Sequence, residues 1–105
     1  MPAAKPGEIW IVDLGLAAKV RPCLVLTTQP QDEDLEVYTV VAHTTAGRGS
    51  HWELAISKPW LDAEGVFDVQ RIATVAGVKL ERKLGELSAA EMNKILDLLA
   101  ERFGL

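Results

Sequence analysis

The sequence predicts a small, mainly β domain: a curled barrel of five or six short strands closed by one C-terminal helix. Three observations predict it. β-Branched and aliphatic residues gather in short runs along most of the chain, separated by Gly-, Pro- and Asp-bearing breaks. The gaps between runs are mostly too short for the crossovers that parallel strands require. The last segment changes period, with its apolar residues at helical spacing.

Residues 1–7, "MPAAKPG", read as a loose tail of small residues. "EIWIVDL" (8–14) mixes β-branched and aromatic residues and reads as the first strand. "GLAAK" (15–19) is a short connection. "RPCLVLTT" (21–28) is the second strand, and its unbroken apolar run predicts burial on both faces. "QPQDED" is a polar loop, and "LEVYTVVAHTT" (35–45) is the third and longest strand. "AGRGS" turns the chain, with two glycines available for positive φ. "HWELAI" (51–56) alternates and reads as a fourth strand. Pro59 stops the ladder in "KPWLDAEG". "VFDVQRIATV" (66–75) is a fifth strand, and "VKLERKLGEL" (78–87) holds a short sixth.

In "SAAEMNKILDLLAERF", Met92, Ile95, Leu96, Leu99 and Phe103 fall at helical spacing. Ser88 and Glu91 make a capping box: the hydroxyl accepts from a first-turn amide and the carboxylate accepts from the cap's own amide. Leu98 adds a second apolar edge, expected to face a second subunit.

The 105 residues fit one domain, 1–105, with a single modest core. Apolar residues are 49% and charged residues 25% of the chain, which excludes a disordered protein. No apolar run approaches the ~20 residues of a membrane helix. The N-terminus lacks the apolar centre of a signal peptide. The single cysteine, Cys23, excludes an intrachain disulfide and suits a reducing, cytoplasmic setting. It reads as a core thiol. The net charge of −4 argues against gripping nucleic acid with the whole surface, but not against a local basic site.

Arg21 stands at the mouth of a strand, and Pro22 biases it toward extended geometry. Its guanidinium is a planar fork of donors suited to phosphate. On residue chemistry alone, two readings stand open: a rim arginine in a surface ion pair, or an anion site. Thr44 and Thr45 end the third strand with side chains on opposite faces, so one of them points to any cleft there. His43 and His51 flank the Arg48 turn without further ligands at metal spacing, so no metal site is expected. There is no phosphate-binding glycine loop or dinucleotide fingerprint, and no cofactor is expected.

"PGEIWIVDL", "RPCLVLTT", "VVAHTT", "VFDVQRI" and "KLGELS" before a helix, in that order, resemble the MazF/PemK family of toxins. The resemblance runs from Pro6 to the C-terminus. It implies an SH3-like barrel, related to that of a gyrase-poisoning toxin. It also implies a homodimer that cuts single-stranded RNA without metal and is held in check by a cognate antitoxin. Arg21 matches the family's catalytic arginine and Thr44 the threonine that completes the site. Gln70 matches a glutamine that is structural or adjacent to RNA. Arg48 is expected as a second phosphate contact, with Lys19 and Thr45 as further substrate-binding residues. The connection between the first two strands is shorter than in many members. The implied reaction is attack of a 2′-OH on its own 3′-phosphate, leaving a cyclic phosphate and a 5′-OH. The base is open, with His43 and His51 as candidates. The alternative is a non-enzymatic homologue acting by protein contact.

Overall fold

The computed structural model describes residues 3–15 and 19–105. The strands are β1 (Glu8–Asp13), β2 (Val20–Val25), β3 (Val37–Thr44), β4 (Glu53–Leu54), β5 (Val66–Ala76) and β6 (Leu80–Glu86), followed by helix α1 (Ala89–Arg102). A 3-10 turn, Gly77–Lys79, joins β5 to β6. The strands form one antiparallel sheet in the order β4-β5-β3-β2-β1-β6. β4 and β6 remain its edges, so the predicted barrel is an open, curled sheet. Its bends coincide with register shifts in β1–β6, between Ile9 and Trp10 and between Ile11 and Val12, and in β3–β5, between Val41 and His43. β4 is only two residues long, shorter than the predicted strand.

Alternation along the strands builds two cores, one on each face. Leu24 and Val41 join Ile9, Phe67 and Val69 beneath Ile95 and Leu99 of α1. Cys23, Val25, Val40 and Ala42 join Val12, Tyr38, Leu80 and Ala4 on the other side. The apolar run of β2 is thus buried on both faces, as its composition predicts. Each such side chain contributes about 1.5–3 kcal/mol by leaving water.

α1 starts where the capping box places it. The Ser88 hydroxyl accepts from the Glu91 amide at 3.1 Å, and the Glu91 carboxylate accepts from the Ser88 amide at 2.8 Å. The buried face differs from the predicted one. Ile95 and Leu99 are buried, but Leu96 is 44% and Phe103 61% exposed. Leu98 packs against the core and is no surplus edge.

The N-terminal segment is not loose from residue 3 on. Ala4 is fully buried, and its amide donates to the Tyr38 hydroxyl at 3.2 Å. Gly7 bridges two elements, donating to the Val25 carbonyl and accepting from the Leu87 amide, each at 2.9 Å. Of the predicted 15–19 connection, residues 16–18 lie outside the described residues. Its ends are tied by the Lys19 amide to the Gly15 carbonyl at 2.7 Å. Lys19 is left-handed, with φ 62°.

Candidate active site at the mouth of β2 and the end of β3

β2 pairs with β3 in the register Cys23↔Ala42, so Arg21 and Thr44 lie opposite one another one pleat further on. The backbone ladder between the two strands stops at Cys23, and Pro22 has no N–H to continue it. A side-chain bond bridges the opening instead: Arg21 Nη1 donates to Thr44 Oγ1 at 3.1 Å. The two predicted catalytic residues are therefore in contact, although 23 positions apart in sequence.

Thr44 is 1% exposed and Arg21 is half-buried above it. Thr44 Oγ1 also accepts from the Ala46 amide at 3.1 Å. Two donors occupy the two lone pairs of the hydroxyl, which leaves its own proton to donate. Thr44 thus holds the guanidinium, and a ligand arriving at the strand mouth meets Arg21 first. Beneath the pair, the Cys23 thiol is buried, and that burial pushes its pKa up to about 12 against the opposing charge of Arg21. It is a core thiol and no nucleophile at neutral pH.

The antiparallel order brings the start of β2 and the end of β3 to one end of the sheet. Lys19, Thr45 and Arg48 are all exposed in the segments that leave this end. Gln70 lies on β5, the strand paired with β3 on its other side, exposed at the kink. Its amide donates to Asp68 Oδ1 at 2.9 Å, while Arg71 Nε pairs with Asp68 Oδ2 at 3.3 Å. Asp68, buried and unforeseen as an anchor, thereby ties down the bulge that turns Gln70 outward. The local signal is an Asp two residues before the bonded amide.

Neither histidine joins the pair. His43 alternates to the face opposite Thr44, packed edge-on against Phe67 with ring centroids 4.8 Å apart. It is 3% exposed, and its Nε2 has no partner among the described residues. Burial lowers its pKa, with the Asp62 charge opposing, so the ring is neutral at physiological pH. His51 is exposed and bonds Glu101 of α1 at 2.8 Å. Next to it, the Arg102 guanidinium lies 5.4 Å from the Trp52 ring centroid. These two contacts clasp the segment after β3 to the end of the helix. Among the described residues, no three His, Cys, Asp or Glu side chains gather to hold a metal ion.

A family model described as the PemK-like, MazF-like toxin of type II toxin–antitoxin systems matches residues 5–103. No curated relative matches the chain. Among solved structures, an endoribonuclease in complex with its cognate antitoxin from Mycobacterial species is 28% identical, with TM-score 0.81, over 98% of this chain and 97% of its own. The Mycobacterium tuberculosis toxin MazF-mt6 is 26% identical, with TM-score 0.72, over 93% and 97%. MazF from a MazE–MazF complex of Deinococcus radiodurans shares the fold, at 15% identity and TM-score 0.81, over 100% and 99%.

Proposed function

The chain belongs to the PemK-like, MazF-like toxin family of type II toxin–antitoxin systems, and from that premise we propose that it is an endoribonuclease whose reaction centres on Arg21. The observation that carries this is the 3.1 Å bond from Arg21 Nη1 to Thr44 Oγ1 at the open end of β2 and β3. Two solved relatives above 25% identity support it, one an endoribonuclease and the other a MazF toxin.

The substrate is single-stranded RNA. Its 2′-oxygen loses a proton and bonds to the adjacent phosphorus, and the bond to the 5′-oxygen breaks as that oxygen takes up a proton. The products are a 2′,3′-cyclic phosphate and a 5′-OH. Charge builds on the phosphoryl oxygens during the attack, and Arg21 aims a cationic, planar set of donors at them. Arg21 acts as a donor and not as the base. Thr44 fixes the fork, so that its orientation costs nothing at the moment of reaction. Arg48, Lys19 and Thr45 contact the strand on either side, and Gln70 borders it. The chemistry draws on no metal.

The toxin works as a cytoplasmic homodimer, because one small sheet end offers only a shallow groove to an RNA strand. Its antitoxin places an acidic segment over Arg21 and Arg48. The solved complex of a relative with its cognate antitoxin supports such a partner. The test is cleavage of a defined RNA by purified protein in the presence of a chelator. Wild type should cut, and Arg21→Ala should be slower by roughly 100- to 1,000-fold, the cost of one lost transition-state donor or more. Equal rates for the two proteins would sink the assignment and return the non-enzymatic reading.

A further inference from the structure

We propose that Glu53 is a positioning residue for RNA binding, acting on Arg48 through the backbone of the 47–50 turn. This rests on the reading of Arg48 as a phosphate contact. Glu53 Oε2 accepts from the Arg48 amide at 2.8 Å and from the Ser50 hydroxyl at 3.4 Å. Oε1 accepts from the Arg48 amide at 3.1 Å and the Gly49 amide at 3.0 Å. Gly49 is left-handed, with φ 74°. Successive amides turned onto one anion form the nest by which many proteins bind phosphate. Here the anion is the chain's own carboxylate.

The carboxylate is itself anchored. Glu53 pairs with Asp68 across β4 and β5, and the Val69 amide donates to the Trp52 carbonyl at 3.0 Å. The Arg48 amide leads in holding the Glu53 carboxyl below the usual carboxylate range; burial opposes it, and the Gly49 and Ser50 groups add to it. Gly47 makes room for this arrangement, since a Cβ there would stand 2.8 Å from Oε1 and 3.1 Å from Val66 Cγ2. The Arg48 guanidinium, in contrast, has no hydrogen bond or ion pair among the described residues. Its direction is therefore set by the turn that carries it. Arg48 lies four positions beyond Thr44, a span of about 14 Å at most. A turn that is held keeps this cation within reach of a strand lying on Arg21. A loose turn spreads it over many positions, at an entropic cost to binding.

The experiment is a mutant cycle read by binding. The probe is a fluorescein-labelled, fully 2′-O-methylated 20-mer of randomised sequence, which binds without being cut. Its Kd is measured by anisotropy across a salt series for wild type, Glu53→Gln, Gly47→Ala, Arg48→Ala and each double variant with Arg48→Ala. Gly47→Ala retains the Glu53 carboxylate but displaces it, so the test does not depend on a single substitution. Thermal melts check that each variant folds. Arg48→Ala should weaken binding by roughly 3- to 10-fold and lower the salt slope by about 0.7. Glu53→Gln and Gly47→Ala should each give part of that loss, and neither should cost anything further once Arg48 is Ala. A Glu53→Gln loss that is as large without Arg48 as with it makes Glu53 a structural turn residue only and overturns the proposal. Arg48→Ala weak with Glu53→Gln unchanged overturns the Glu53 role alone. Arg48→Ala binding as tightly as wild type overturns the Arg48 reading and the Glu53 role with it. Cleavage of unmodified RNA, followed in parallel for KM and kcat, should place the Glu53→Gln loss in KM. The binding cycle decides on Glu53 whether or not the wild type cuts.

Discussion

Thr44→Val removes one oxygen from beneath Arg21 and leaves the shape of the side chain. Two donors lose their acceptor: the Ala46 amide and Arg21 Nη1, each at 3.1 Å. A neutral bond of this kind contributes about 0.5–1.5 kcal/mol and a charged one about 1.5–3 kcal/mol. Arg21 keeps other interactions, so the upper end is not reached. The added methyl group offsets about 0.8 kcal/mol. The net cost is about 1–3 kcal/mol, and in a domain of this size the melting temperature falls by about 5–15 °C. Cleavage suffers separately. A guanidinium that has lost this bond is less closely oriented for the reaction, and the single-turnover rate should drop by about 100-fold. Thr44→Ser restores the oxygen and should recover most of the rate, while retaining a packing loss of about 1 kcal/mol. Both readouts come from the same preparations, by thermal melt and single-turnover cleavage. If Thr44→Val melts with the wild type, the buried bonds do not carry the stated energy. If it melts lower yet cuts at the parental rate, Thr44 is a structural residue and the positioning argument is wrong.

His43 makes stability depend on pH. Its folded pKa lies below the ordinary 6.5, so the unfolded chain binds the proton more readily. Stability is full above about 6.5 and is lost as pH falls from there toward the folded value. Urea midpoints between pH 5 and 7 read this effect clear of Glu8, Glu53 and Glu91, which are held below their ordinary 4.5. His43→Leu should flatten the decline; an unchanged slope would assign it to another group. Gly65→Ala should cost about 1–3 kcal/mol by driving a Cβ into the His43 ring, read from the urea midpoint. A wild-type midpoint would show that the ring moves aside freely. Cys23 should resist a thiol-alkylating reagent at pH 8 until the protein is unfolded, as its raised pKa and burial require.

The features legible in the sequence are those set by neighbours or by register. The capping box involves residues three apart, so Ser88 and Glu91 were enough to place the start of α1. Arg21 and Thr44 meet because a short strand and a long strand pair antiparallel, and their ends then coincide. The family resemblance picked out these two residues, and the register explains their contact. Other features depend on distant partners. Leu96 and Leu98 are equally apolar, and only the position of α1 over the sheet turns Leu98 inward and leaves Leu96 exposed. Ala4 is buried because Tyr38, 34 positions away, receives its amide. The sheet stays open with the two-residue β4 and β6 as its unpaired edges, and periodicity carries no such information. Glu53 left a trace in "AGRGSHWE", where two glycines precede an acid. That trace acquires a role only in the fold, where the carboxylate enters the turn.

The 2′-OH nucleophile is the centre of the cyclising mechanism. A short RNA containing the cut site, located first by sequencing the ends of RNA cut by the purified protein, should be cut by the wild-type protein to a 2′,3′-cyclic phosphate and a 5′-OH. The same RNA with the 2′-OH at the cut nucleotide replaced by hydrogen should remain intact at any enzyme concentration, because the attacking oxygen is gone. Persistent cleavage of the deoxy substrate would contradict the cyclising mechanism and, with it, the role given to Arg21.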